Sequence, residues 1–164
     1  MVRTRRPGRL ARLLLKAPVL IFRWHLGFLL GRRFLLVTHV GRRSGQTYQT
    51  VVEVVGSRGR RWYVMSGFGR TSDWYLNVRE AGTAEVGVGR GASRVKVREL
   101  DTAAAVDVIA AYERRNRLIA PVIRRALSRQ VGWRYTGTDS ERGRLVSQLP
   151  ILEFDAEDHP AVAD

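Results

Sequence analysis

The pattern of apolar and polar positions predicts a chain made mostly of β-strands joined by hairpins. Val95 and Val97 alternate with basic residues, which is the two-residue period of a strand with one buried face. Other segments are predicted to be strands because they are rich in β-branched and apolar residues and are bounded by turn residues. The predicted strands cover residues 34–40, 46–55, 61–66, 84–88, 93–99 and 151–154.

Helical periodicity and capping residues predict helices around these strands. Asp101 or Thr102 can cap an alanine-rich helix. Ser72 or Asp73 can cap a shorter helix that ends before Gly82. The predicted helices cover residues 10–30, 74–80, 102–117, 121–129 and 140–148. Because strands and helices do not alternate, we predict an α+β protein that is mainly β, an antiparallel barrel with peripheral helices.

The N-terminal residues are predicted to form a basic amphipathic segment. Arg12, Lys16 and Arg23 interrupt its apolar run, so neither a signal peptide nor a spanning helix is predicted. We divide the chain into this segment, residues 1–33, and a single barrel domain, residues 34–164. Two interpretations of the segment stay open, a helix packed on the barrel or an anchor on a membrane surface. The predicted location is cytoplasmic, peripheral to the inner face of the plasma membrane under the second interpretation.

The charge balance favours anionic partners. The chain of 164 residues has 29 Lys and Arg against 15 Asp and Glu, which gives a formal net charge of +14. Such a surface attracts phosphates, carboxylates, nucleic acids and anionic lipid headgroups. The sequence contains no cysteine, which excludes disulfides, thiolate metal sites and thiol redox chemistry.

The segment Gly41-Arg42-Arg43-Ser44-Gly45 has the features of an anion-binding turn. Its glycines let the backbone approach a ligand, and successive N–H groups in such a turn can form a concave anion nest. Arg42 and Arg43 add guanidinium groups for phosphate or carboxylate, and Ser44 adds a hydroxyl. The segment is not a P-loop, because the Gly-Lys-Ser/Thr ending and the following helix are missing. A solvent-exposed basic hairpin turn is the alternative interpretation.

A second candidate segment follows the third predicted strand. Ser66 and Gly67 begin a loop with two glycines, which permits close approach of a ligand. Trp74 and Tyr75 can either stack on a flat ring system or pack in the core, and both interpretations stay open.

The usual catalytic constellations are missing from the sequence. His25, His39 and His159 show no metal-ligand spacing, and no metal site is predicted. His39 lies in a predicted strand, and we assign it a structural role. No serine lies in a nucleophile-elbow pattern. An enzyme with so few acid–base groups is most easily explained by a bound cofactor that carries the chemistry.

The two motifs together, in this order, resemble the deazaflavin-dependent nitroreductase family of actinobacteria. That family pairs a Leu-Leu-x-Thr-x-Gly-Arg-Lys/Arg-Ser-Gly segment with a Ser-x-Gly-Gly loop and a Trp-Tyr-x-Asn-Leu helix. The corresponding segments here are residues 35–45, 66–69 and 74–78, and the resemblance extends from about residue 34 to residue 99.

The resemblance implies a split β-barrel that binds coenzyme F420 across the barrel, with the phosphate and the glutamyl tail in a basic groove. It implies that the first loop holds the anionic part and that the second loop lies near the deazaflavin. The cofactor-binding residues so implied are Gly41, Arg42, Arg43, Ser44, Gly45, Tyr48, Ser66, Gly67, Trp74, Tyr75 and Asn77. Tyr48 and Gly67 stand where the family commonly has basic residues.

The reaction implied is hydride transfer between F420 and an apolar acceptor that is quinone-like, nitroaromatic or lipid-like. Tyr48, Tyr75 and Tyr112 are candidate catalytic residues, and no general acid is assigned. The expected partners are that small molecule, an anionic membrane surface and, by family analogy, a second copy of the chain; no specific nucleic acid is expected. The alternatives are an FMN- or haem-binding split barrel, or a basic protein that binds anionic lipid or nucleic acid.

Overall fold

Six antiparallel strands close into a barrel. The computed structural model describes residues 33–88 and 91–156, so the predicted N-terminal segment, apart from Arg33, lies outside the described residues. The strands are β1 Phe34–Val40, β2 Thr47–Arg58, β3 Arg61–Met65, β4 Thr83–Val88, β5 Gly91–Glu99 and β6 Ile151–Ala156. Their order around the barrel is β1-β2-β3-β6-β5-β4, and β4 pairs with β1 to close it. Closure pairs the strand edges that would otherwise invite association.

Within the described residues, four helices accompany the barrel: α1 Asp73–Ala81, α2 Thr102–Arg115, α3 Ala120–Val131 and α4 Asp139–Gln148. As predicted, Asp101 caps α2, its side chain accepting a hydrogen bond of 2.8 Å from the amide of Ala104. Ser72 occupies the N-cap position of α1, but its hydroxyl bonds to the carbonyl of Gly69 instead of capping the helix. The prediction of a mainly β protein with peripheral helices is confirmed.

The barrel interior is filled by alternate residues of the strands and by one face of α1. Leu35, Val37 and His39 point inward from β1, since successive side chains of a strand face opposite sides. Trp74 and Tyr75 of α1 belong to the same interior cluster. Helix α1 is therefore fixed against the barrel by its own aromatic residues, directly after the loop of residues 66–72.

A second apolar cluster lies between the barrel and the other three helices. It contains Ile109 of α2, Leu127 of α3 and Leu145 of α4, all buried. The buried carboxylate of Glu113 accepts hydrogen bonds from Arg124 and Arg142 and so ties the three helices together. Within the described residues, no helix has the length and apolar character that crossing a bilayer requires.

Candidate functional site

A cavity of about 730 Å³ opens between the β1–β2 loop, the start of β2 and the first turns of α1. Its size lies within the range of roughly 300–1,000 Å³ that is usual for small-molecule sites. The lining residues are His39, Gly41, Arg42, Arg43, Ser44, Tyr48, Gln49, Thr50, Asp73, Trp74 and Asn77. The cavity therefore combines the basic glycine loop with the aromatic helix, although the two are about 30 residues apart in the sequence.

The backbone of the loop requires glycine at position 45, and the side chains of Ser44 and Tyr48 crowd Gly41. A Cβ atom at Gly41 would lie 2.5 Å from Ser44 Oγ and 2.7 Å from Tyr48 Cε2, closer than packed atoms tolerate. Gly45 has a φ of 67°, in the left-handed region that favours glycine. The loop thus turns tightly enough to bring the hydroxyl groups of Ser44 and Tyr48 within 3.1 Å of each other.

The predicted anion nest is largely occupied by the loop's own hydrogen bonds. The amide of Gly41 donates to the carbonyl of Gln46, and the amide of Gly45 donates to the carbonyl of Gly41, both at 2.8 Å. The amides of Arg42 and Gln46 donate to the side chains of Asn77 and Ser44. This corrects the sequence-based interpretation: an anion would be held mainly by side chains, because four amides of the turn already have acceptors.

Asn77 of α1 fixes the position of Arg42. Its Oδ1 atom accepts from the amide of Arg42 at 3.1 Å and from Arg42 Nη1 at 2.9 Å. Oδ1 must face these two donors, so the amide group of Asn77 faces His39, with 3.2 Å between Nδ2 and His39 Nδ1. The Asn77 side chain is buried and hydrogen-bonds to Arg42 and His39 at the same time.

His39 is consequently a neutral imidazole that carries its proton on Nε2. Nδ1 accepts from Asn77, so the proton of the neutral ring lies on Nε2, which is 3.4 Å from Thr50 Oγ1. Burial lowers the pKa of His39 below its ordinary value, although the Asp73 carboxylate acts in the opposite direction. The ring lines the cavity and lies 6.0 Å, centroid to centroid, from the ring of Tyr48, its partner across the β1–β2 ladder.

The two arginines of the loop differ in the contacts that they make within the protein. Arg42 is mostly covered, and its Nη1 also lies 3.3 Å from the exposed carboxylate of Asp73. Arg43 is exposed, and among the residues that the structure describes its guanidinium has no ion pair or hydrogen bond. Arg43 is thus the cation of the cavity wall that is available to an anionic ligand, whereas Arg42 also shapes the loop.

Five sequence-predicted site residues do not line this cavity: Gly45, Ser66, Gly67, Tyr75 and Tyr112. Tyr75 is fully buried, and its hydroxyl donates to Glu99 Oε2 at 2.6 Å, which points the ring away from the cavity. Ser66 is also fully buried and donates to the carbonyl of Gly69. The carbonyl of Gly67 accepts from Gln130 on α3, and the hydroxyl of Tyr112 donates to Glu53 at 3.0 Å. The partners of Tyr75 and Tyr112 thus lie on β5 and β2, and those of Ser66 and Gly67 lie in the loop of residues 66–72 and on α3.

The structure adds four lining residues that the sequence interpretation missed: His39, Gln49, Thr50 and Asp73. His39 could have been predicted from the alternation of β1, because it lies on the inward face of that strand, two residues before Gly41. Tyr48 and Thr50 line the cavity together because they are two residues apart on β2. Among residues 33–88 and 91–156, no three potential metal ligands come together.

Comparisons with known proteins agree with the fold and the motifs. Residues 25–121 match the family described as F420H2-dependent quinone reductase. A solved structure titled an F420-H2 dependent reductase (FDR-A) is 20 % identical, covers 76 % of this chain and 95 % of its own, and has a TM-score of 0.43. A structure titled a putative pyridoxamine 5'-phosphate oxidase from Listeria innocua is 13 % identical, covers 83 % and 93 %, and has a TM-score of 0.50. No curated protein matches the chain.

Proposed function

The chain belongs to the F420H2-dependent quinone reductase family, and on that premise we propose that it reduces a quinone-like acceptor in the cavity beside Trp74. The family identifies the chain as an F420-dependent reductase with a split-barrel fold, which confirms the predicted class of enzyme and its cofactor. The acceptor and the roles of individual residues are our proposal. The observation that carries it is the meeting of a basic loop, two aromatic rings and a buried histidine in one cavity.

The residues of the cavity fit the cofactor. F420 combines a flat deazaflavin with a phosphate and an acidic glutamyl tail, so it needs an apolar surface next to cations. Trp74 and Tyr48 provide aromatic surface, and Arg43 provides an exposed guanidinium in the same wall. We propose that Arg42, Arg43 and Ser44 hold the anionic part and that Trp74 and Tyr48 flank the ring.

The protein contributes orientation and a proton. When bound in its reduced form, F420 supplies a hydride. A quinone that takes up one hydride needs one proton to become a hydroquinone. In this cavity protons are held at Tyr48 Oη and, given the tautomer fixed by Asn77, at His39 Nε2. We propose that Tyr48 Oη delivers that proton and that His39 Nε2–H donates a hydrogen bond to the acceptor oxygen, while the buried Trp74 helps to exclude water.

The test is turnover with reduced F420 and a panel of acceptors, followed by the return of the oxidised cofactor's absorbance. We expect quinones to give a higher kcat/KM than nitroaromatic compounds. His39→Gln should lower kcat with little change in the Kd of F420, because His39 is proposed to act on the acceptor. Arg43→Gln should raise the Kd of F420 about tenfold, the usual loss for one charge-assisted hydrogen bond.

Arg58→Gln is the matched control, since Arg58 is an exposed arginine at the far end of β2. It should leave the Kd and kcat unchanged. Reduction of nitroaromatic compounds without reduction of any quinone would refute the proposed acceptor, while the cofactor assignment would stand.

The proposal also includes the predicted location and partners. A quinone-like acceptor is lipid-soluble, so a cytoplasmic enzyme that uses it benefits from peripheral contact with the membrane. We propose in addition that the chain forms a homodimer, which light scattering on the purified protein would measure directly. A monomer at micromolar concentration would refute that part alone.

A further inference from the structure

Three aliphatic side chains project into solvent where α2 connects to α3. Leu118 is 90 % exposed, Val122 is 69 % exposed and Ile119 is 44 % exposed. Val122 lies on the outer face of α3, since Leu127 and Val131 of the same helix are buried. We call Leu118, Ile119 and Val122 the apolar corner. Single exposed aliphatic residues are ordinary, but a group of them at one place is typical of an interaction surface.

Exposed arginines lie near the apolar corner along the chain. Arg114, Arg117 and Arg125 are exposed, and within the described part of the chain no ion pair or side-chain hydrogen bond involves them. We call these three residues the basic collar. By contrast, Arg115 donates to the carbonyl of Val55 at 2.7 Å, so its guanidinium has a structural role. The basic collar is thus free to meet anionic groups outside the protein.

The basic collar also borders a cavity. A space of about 900 Å³ between α2, α3 and α4 is lined by Arg114, Arg117 and Pro121, together with small apolar residues of α2. Pro121 lies between two members of the apolar corner in the sequence, so the cavity mouth adjoins that corner. The other two arginines of the wall already pair with Glu113. Arg114 and Arg117 therefore supply the positive charge of this cavity that has no partner among the described residues.

Arg33, the first described residue, is linked through Glu53 to α2, the helix that precedes the apolar corner. Arg33 pairs with Glu53 at 3.3 Å, and Tyr112 donates to the same carboxylate oxygen at 3.0 Å. Tyr112 lies in the last turn of α2, directly before the corner, and its carbonyl accepts from Asn116. Arg33 therefore lies beside the end of α2.

We propose that the apolar corner and the basic collar dock this protein on an anionic lipid bilayer. The three aliphatic side chains would enter the boundary between headgroups and acyl chains, and the arginines would contact lipid phosphates. The positive charge of the basic collar favours an anionic occupant. The chain's own N-terminal segment is basic, and a second copy of the chain carries the same net charge of +14, so the basic collar repels both. The inference deepens the proposed function, on which it rests for the lipid-soluble acceptor, because docking brings the enzyme to the phase that holds it.

The experiment is cosedimentation of the full chain with vesicles of phosphatidylcholine alone or with phosphatidylglycerol added. Leu118→Ser/Val122→Ser should reduce the partition into anionic vesicles about tenfold, and Arg114→Gln/Arg117→Gln should do the same. Arg58→Gln/Arg60→Gln is the control, since it removes two exposed charges from the β2–β3 turn and should change partition less than about twofold. All variants change exposed residues, and an unchanged Tm verifies their folding.

Three results would overturn the inference. The inference would be wrong if the wild-type protein did not bind anionic vesicles. It would also be wrong if the apolar-corner variants bound as the wild type does. Equal losses in the basic-collar variant and the β2–β3 turn control would also overturn it, because binding would then follow net charge alone. Turnover of reduced F420 with a water-soluble quinone is measured in parallel. Its absence in a protein that still docks through the corner would refute the proposed acceptor and leave the docking surface standing.

Discussion

Arg42 donates two hydrogen bonds to one atom, Oδ1 of Asn77, from its backbone amide at 3.1 Å and from its guanidinium at 2.9 Å. The same contact joins the glycine loop to α1 and orients the Asn77 amide toward His39. One buried asparagine therefore controls both the shape of the loop and the tautomer of the histidine in the cavity.

Asn77→Leu should destabilise the fold and weaken cofactor binding together. The substitution leaves the Arg42 amide and His39 Nδ1 without partners, at a cost of about 1–3 kcal/mol for each unsatisfied group. Chemical denaturation should show the loss of stability, and fluorescence titration should show a higher Kd for F420. A variant with wild-type stability would contradict the hydrogen-bond network.

Asn77→Asp separates the two roles of Asn77. A carboxylate still accepts from Arg42, but it presents an oxygen and a negative charge to His39 Nδ1. Since a nearby anion favours the protonated imidazole, the pKa of His39 should rise relative to the wild type. An NMR titration of the imidazole protons measures it, and an unchanged pKa would rule out the contact.

Stability should depend on pH through His39. Burial lowers its pKa in the folded state below the value of about 6.5 for the unfolded chain. The unfolded state therefore binds the proton more readily, so the free energy of unfolding falls as the pH drops below about 6.5. His39→Gln should remove this part of the pH dependence, whereas Thr50→Ala, which keeps the imidazole, should retain it. Denaturation curves that change equally with pH in both variants would argue against the burial of a neutral His39.

Arg42 and Arg43 should differ in their effects on stability. Arg43→Ala should weaken F420 binding and leave Tm unchanged, because its guanidinium is exposed and has no partner in the described residues. Arg42→Ala should weaken binding and also lower Tm, because Arg42 bonds to Asn77 and Asp73. Thermal unfolding without cofactor measures this difference. The same Tm for both variants would mean that the contacts of Arg42 contribute nothing measurable.

Tyr75→Phe should affect stability and not the site. The hydroxyl of Tyr75 donates to Glu99 and accepts from Arg70 at 3.1 Å, in a network that holds the Glu99 pKa below its usual range. Its loss should cost about 1–2 kcal/mol of unfolding free energy and leave the Kd of F420 and kcat unchanged. A large loss of kcat in a stable variant would restore Tyr75 as a catalytic candidate.

The sequence by itself determined the strands, the hairpins and most helix ends, because these depend on local signals. The alternation in β5, the cap at Asp101 and the left-handed Gly82 all act within a few residues. The glycine at position 45 was equally predictable, since the turn itself places it in the left-handed region.

Only the tertiary structure decided which residues the cavity contains. Trp74 and Tyr75 are neighbours in α1, but helical rotation places Trp74 at the cavity and Tyr75 against Glu99. That rotation was not predictable from local signals, because packing against the barrel interior sets it through contacts distant along the chain. His39 shows the same limit: its inward direction was predictable from β1, while its tautomer depends on Asn77, 38 residues further along.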